Sequence, residues 1–211
     1  MELKKKNKIS YPRKPLFFRK REKIKKQKIK RKKEIQKYKL LLLDKKFVHF
    51  LSLRRKKFIT LVMRFFSLLG DGHLWLLLCL IFFFIDFFTG LTLTVGLIVQ
   101  VFFQQLVKRL FLRQRPYEKH VEITKVINPP DRFSFPSGHT TAAFTIVFIF
   151  YYIYPVLFFP FLFIAIMIGF SRIYLGLHYP SDVIAGIGLG FICAKIGIWI
   201  SVIIENIKSL I

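Results

Sequence analysis

Cysteine and acid are both scarce in this chain, and each shortage closes off a class of protein. The two cysteines, Cys79 and Cys193, sit inside apolar runs without zinc-ligand spacing. No disulfide framework and no cysteine metal site is expected, and both read as packing residues. Only 11 Asp and Glu stand against 36 Lys and Arg in 211 residues, a formal charge of +25. With 54% apolar residues and 26 Phe, the chain is neither a disordered polycation nor an ordinary soluble domain. No internal repeat is visible. The N-terminus lacks a short apolar core followed by a small-residue cleavage site, so no cleavable signal peptide is expected. No reading motif accompanies the positive charge, and nucleic acid is not an expected partner.

What is present is segregated along the chain. Residues 1–37 hold 18 Lys and Arg against three Glu, whereas beyond His73 the sequence is mostly Leu, Ile, Phe and Val. Three regions follow from this. Residues 1–37 form a polybasic tail, expected as a solvated arm drawn to anionic lipid headgroups by about 1 kcal/mol per basic residue near the surface. Residues 38–70 mix Leu and Phe with Lys and Arg. They cannot supply the roughly 20 apolar residues of a span, so they are expected as an amphipathic helical region in the interface plane. Residues 71–211 form the membrane domain, set off by the break at Gly70-Asp71-Gly72.

Five spans are expected: Leu74–Phe88, Leu91–Val107, about 139–153, 156–174 and Val183–Ile204. Tyr151, Tyr152, Tyr154 and Pro155 divide the long apolar run after His139, because Tyr favours the water interface. Gly186, Gly188 and Gly190 would let the last span pack closely. The predicted fold is all-α: a polytopic integral membrane helical bundle with about five spans and an N-terminal amphipathic region.

Three polar clusters remain, each at the end of a predicted span. They are Lys108 to Arg115-Pro116, Pro136-Ser137-Gly138-His139, and Ser171-Arg172 to His178 and Asp182. Counting crossings puts all three at one membrane face. Seven residues make about two helical turns, so Lys108 and Arg115 share a side if the helix continues that far. Arg172 adds a planar fork suited to phosphate oxygens. Ser137 and Gly138 precede a helix whose free N–H groups favour an anion, and Gly138 lets the backbone approach it. Together they make a phosphate cradle. Asp182, four residues past His178, is placed to accept from one ring nitrogen and leave the other free to attack, with Pro180 as the first helical residue between them. His139, from another helix, is placed to protonate the leaving oxygen.

These motifs resemble the type 2 phosphatidic acid phosphatase family, which shares its core site with vanadium-dependent haloperoxidases. The signatures Lys-x6-Arg-Pro, Pro-Ser-Gly-His and Ser-Arg-x5-His-x3-Asp match at all eleven specified positions, and the resemblance covers roughly residues 70–204. It implies that His178 is the nucleophile of a phosphohistidine intermediate, that Asp182 orients it, and that His139 is the acid. It also implies that Lys108, Arg115, Ser137, Gly138 and Arg172 hold the phosphoryl oxygens. It implies no metal and no cofactor, since the cationic side chains carry the electrostatic work. Membrane members usually have six spans, so this chain departs by one.

The resulting expectation is a metal-independent membrane phosphatase acting on a lipid phosphate or diphosphate whose chains stay in the bilayer. Phosphatidic acid, phosphatidylglycerol phosphate, undecaprenyl diphosphate and lipid A phosphate all fit. The alternatives are a non-enzymatic lipid-phosphate binder, which would not require two histidines and Asp182, and a phosphotransferase using the same histidine. The expected location is the bacterial inner membrane. With five spans the basic tail and the site share a face, and the positive-inside rule makes it the cytoplasmic one.

Overall fold

A computed structural model describes residues 16–129 and 131–210, so the first fifteen residues of the basic tail lie outside the described residues. The described residues form helices and no strand. The chain divides into two compact units, residues 1–43 and 44–211.

Residues 16–43 of the first unit belong to helix α1 (Leu16–Leu53). The arm expected for residues 1–37 is therefore helical from Leu16 onward. No Gly or Pro interrupts that stretch, and its Lys, Arg, Gln, Glu and Leu lose little side-chain freedom in a helix. Lys28, Arg31, Lys32, Gln36 and Lys39 are exposed.

In the second unit, the region expected to lie in the interface plane is not one element. α1 stops at Leu53, and α2 (Lys57–Leu69) begins after a short break. α2 buries Met63 and Ser67, packs against α7 (Pro155–Tyr174) and leaves Phe58, Leu61, Phe65 and Leu68 exposed. An apolar outer face is the reverse of a helix lying on a membrane surface, whose outward side is charged. After Gly70-Asp71 the chain bends by 50° into α3 (Gly72–Ile85), and the pair together is long and apolar enough to cross a membrane.

α3 ends where Asp86 caps α4 (Phe87–Phe111), accepting from the Phe88 amide at 3.2 Å and from the Thr89 hydroxyl. α4 continues into the four-residue α5 (Pro116–Lys119) after a turn at Leu112, which has φ 46°. α6 (Gly138–Ile153) and α7 are divided at Tyr154-Pro155, as the sequence suggests, with Pro155 at the start of α7. α8 (Pro180–Lys208) begins on its proline. By length and apolarity, α4, α7 and α8 each qualify as membrane spans; α6, with 16 residues, is apolar but shorter.

Between such helices the lipid-like surroundings give little hydrophobic drive, so close backbone approach does the packing. α6 lies among α4, α7 and α8. A Cβ on Gly190 would sit 2.9 Å from the Thr141 carbonyl, and one on Gly197 would sit 2.7 Å from the Gly96 Cα. Gly186 likewise meets Ser137, but Gly188 meets nothing within 4 Å. Only two of the three glycines first read as packing residues serve that purpose. The buried hydroxyls of Thr141 and Thr145 each donate to the carbonyl one turn back, at 2.8 Å, so α6 carries polar residues without leaving them unpaired. The same packing brings the end of α4, the start of α6, the end of α7 and the start of α8 together.

Candidate active site

A cavity of about 300 Å³ opens where these helix ends meet. Lys108, Arg115, Asp131, Gly138, His139, Arg172 and His178 line it together with Gln100, Gln104 and the apolar Trp75, Leu76, Leu97, Val101 and Ala142. Ser137 and Asp182 do not line it; both are fully buried behind it. All three sequence clusters are therefore in one place, at a cavity lined by both charged and apolar side chains.

His178 follows a tight turn after α7, where Gly176 has φ 79°, a conformation that L side chains rarely adopt. The Leu177 and His178 amides both donate to the Arg172 carbonyl, at 3.0 and 3.2 Å, which closes the turn and keeps His178 next to the end of α7. The two ring nitrogens have unlike partners. Nδ1 is 2.6 Å from the Ser134 carbonyl, which can only accept, and Nε2 is 3.2 Å from Arg115 Nη1, which can only donate. This fixes the tautomer with its proton on Nδ1 and leaves Nε2 unprotonated, its lone pair accepting from Arg115. Burial, followed by the cations of Arg115, Arg172 and Lys108, holds the His178 pKa well below the ordinary imidazole value. The ring is neutral, with Nε2 unprotonated.

Asp182 does not make the expected hydrogen bond to His178. Its nearest oxygen is 3.7 Å from Nδ1. Pro180 starts α8, so Asp182 falls in the first turn, where it accepts from the Tyr179 amide at 2.8 Å and from Arg113 at 2.5 Å. The backbone carbonyl of Ser134 takes the place foreseen for it. Arg113 also pairs with Asp44 at 2.7 Å and stacks on the Tyr179 ring at 4.1 Å, and Asp44 accepts from the Ser181 amide at 3.1 Å and its hydroxyl at 2.5 Å. Asp44, Arg113, Ser181 and Asp182 form a buried clasp behind the nucleophile.

The cations converge, though not for the reason the sequence suggested. Lys108 is in the last turn of α4, but that helix ends before Arg115. The left-handed turn at Leu112 returns the chain, and Asp131 joins the two residues: its carboxylate is 2.5 Å from Lys108 and 2.6 Å from Arg115. Burial works against this charge, but Lys108 and Arg115 outweigh it and keep the Asp131 carboxyl below its usual pKa. Arg172 is 1% exposed; it donates to the Ser67 hydroxyl, and its Nε has no partner among the described residues. A buried, unsatisfied guanidinium N–H is costly without an acceptor, and a phosphoryl oxygen would supply one. Asp131 lies where two oxygens of such an anion would sit. Asp131→Asn is therefore expected to tighten competitive inhibition by inorganic phosphate about tenfold, since the cradle no longer spends its time on an internal carboxylate. Inhibition constants for both proteins check this.

Sequence reasoning passed over Asp131, Ser134, Arg113 and Asp71. Asp131 left one signal: it is the lone carboxylate between Glu122 and Asp182.

The model of the PAP2 superfamily matches residues 89–204, more than half of the chain and all eleven signature positions. The chain belongs to the PAP2 superfamily. Among PAP2 relatives, it is 30% identical over 105 residues to undecaprenyl-diphosphatase BcrC of Bacillus subtilis, covering 50% of this chain and 52% of that one. It is 38% identical over 89 residues to decaprenylphosphoryl-5-phosphoribose phosphatase of Mycobacterium tuberculosis, covering 40% and 46%. The chain thus spans about half the length of the PAP2 relatives it matches. Among solved PAP2 structures, LpxE of Aquifex aeolicus superimposes with a TM-score of 0.67 at 25% identity, covering 74% of this chain and 94% of that one.

Proposed function

We propose that this protein is a membrane phosphatase that hydrolyses a lipid phosphate or diphosphate through a phosphohistidine. The observation that carries the reading is His178, whose unprotonated Nε2 is held by Arg115 in a cavity lined also by Arg172 and His139. The names of the relatives fit it: they act on undecaprenyl diphosphate and decaprenylphosphoryl-5-phosphoribose.

In the first step Nε2 attacks phosphorus and forms a P–N bond. The P–O bond to the leaving group breaks, its electron pair stays on that oxygen, and His139 donates a proton to it. In the second step water attacks the phosphohistidine, gives a proton to His139, and releases phosphate with His178 restored. Lys108, Arg115 and Arg172, with the amide end of α6, stabilise the charge on the three non-transferring oxygens. Asp182 and the Ser134 carbonyl orient the nucleophile. This mechanism uses no metal.

The substrate's chains lie against the apolar residues among the cavity lining, such as Trp75, Leu97 and Val101. The α2–α3 pair, α4, α6, α7 and α8 make five crossings, which leaves the site at the face where α1 ends. Because the loop after α4 is rich in Lys and Arg, that face is the cytoplasmic one, and the protein resides in a bacterial inner membrane. The basic residues of α1 are attracted to anionic headgroups.

The test is purification in detergent and phosphate release from a panel of lipid mono- and diphosphates. Turnover is expected that resists chelators and is blocked by vanadate. Turnover abolished by a chelator and restored by magnesium would contradict the mechanism.

A further inference from the structure

We propose that Asp71 is a positioning residue for His139, fixing the ring that serves the leaving group. This rests on the phosphatase reading above and adds a residue that lies outside the family match at 89–204. In the sequence, Gly70-Asp71-Gly72 reads only as a break between helices.

Several contacts tie that break to His139. Asp71 Oδ1 is 2.8 Å from His139 Nε2. Gly70 lies against the same ring: a Cβ there would come within 2.8 Å of His139 Cδ2 and 2.9 Å of Ile168 Cγ2. Trp75 Nε1 donates to the Gly70 carbonyl at 3.2 Å and holds the turn in place. Asp71 also forgoes a local use. It is the N-cap of α3 with extended backbone angles, where Asp ordinarily accepts from the helix's free amides, yet its side chain makes no capping bond. The carboxylate is turned to the ring instead.

The arrangement assigns work to both ring nitrogens. A carboxylate can only accept, so Nε2 carries a proton toward Asp71. Among the described residues none hydrogen-bonds Nδ1, and His139 lines the cavity. Nδ1 is therefore the nitrogen that faces the reaction. As the P–O bond breaks and its electrons move to the leaving oxygen, the Nδ1 proton passes to that oxygen. The ring is left neutral, with its other proton still donated to Asp71. When water attacks the phosphohistidine, Nδ1 takes the proton back. Asp71 never exchanges a proton with substrate; it holds the ring and stabilises its charged form.

The experiment uses the full chain in detergent with two substrates. A long-chain alkyl phosphate needs its leaving oxygen protonated; p-nitrophenyl phosphate does not, because its leaving group is a stable phenolate. Asp71→Asn is expected to lower kcat on the alkyl phosphate about 100-fold and on p-nitrophenyl phosphate less than about threefold, with KM nearly unchanged on both. Asp71→Glu should recover most of the loss. Asp71→Ser keeps a capping side chain for α3 and lacks the carboxylate, so it should behave as Asp71→Asn does. Equal losses on both substrates, or an Asp71→Ser protein with wild-type activity, would overturn the assignment. If wild type and His178→Ala release phosphate equally from both substrates, the phosphatase reading itself fails, and this inference falls with it.

Discussion

His178→Ala is expected to lose lipid-phosphate hydrolysis by on the order of 10⁴-fold or more, because it removes the nitrogen that forms the P–N bond. The ring is 1% exposed and neutral, and its Nε2 is the one unprotonated nitrogen held beside Arg115 and Arg172. Removing it leaves the cations intact, so the variant should still bind inorganic phosphate or vanadate. Phosphate release and anion binding measured on the same preparation separate the two effects. Residual turnover within about tenfold of wild type would sink His178 as nucleophile. Wild-type protein quenched in alkali during turnover should carry acid-labile phosphate, and the variant should carry none.

Arg172→Lys is the second large effect, and it tests geometry against charge. The substitution keeps the positive charge but removes the planar fork. Arg172 spends one end on Ser67 and keeps its Nε unpaired beside the cavity. A lysine ammonium cannot reach Ser67 and present a second fixed N–H to the phosphoryl group at once. A fall in kcat of about 10²- to 10³-fold is expected, similar to the loss of one oxyanion donor elsewhere. Steady-state kinetics on a lipid phosphate reads it directly. Activity close to wild type in the Arg172→Lys protein would mean that charge alone is needed there and that the orphan Nε has no catalytic meaning.

The sequence displayed those parts of the site whose chemistry resides in distinctive side chains at helix ends. Lys108, His139, Arg172 and His178 belong to this group, and one cavity gathers them. Ser134 acts through its backbone carbonyl, which any residue at that position would also supply, so no residue type betrays it. Asp71 and His139 are 68 residues apart, and nothing local connects them. The pairing of Asp182 with His178 looked natural from their four-residue spacing. The two approach only to 3.7 Å, without a hydrogen bond, because the proline start of α8 places that carboxylate where the helix end and Arg113 claim it. Reading residues 38–70 as one amphipathic region averaged over two unlike segments. Lys and Arg cluster from Lys45 to Lys57, whereas Arg64 is the only basic residue from Phe58 to Leu69. A boundary at Lys57 divides a charged segment from an apolar helix, and one window across both hides it.

The clasp around Arg113 sets a lower limit on how far this chain can be shortened. A truncation that stops at Lys37 retains Asp44, and with it the second carboxylate on Arg113 and the acceptor for Ser181. One that begins at Lys57 keeps the whole PAP2 match yet removes one of the two carboxylates on Arg113, whose other partner, Asp182, lies 3.7 Å from His178 Nδ1. A trimmed form designed from the family match alone would therefore carry every signature residue and still lack part of the support behind its nucleophile.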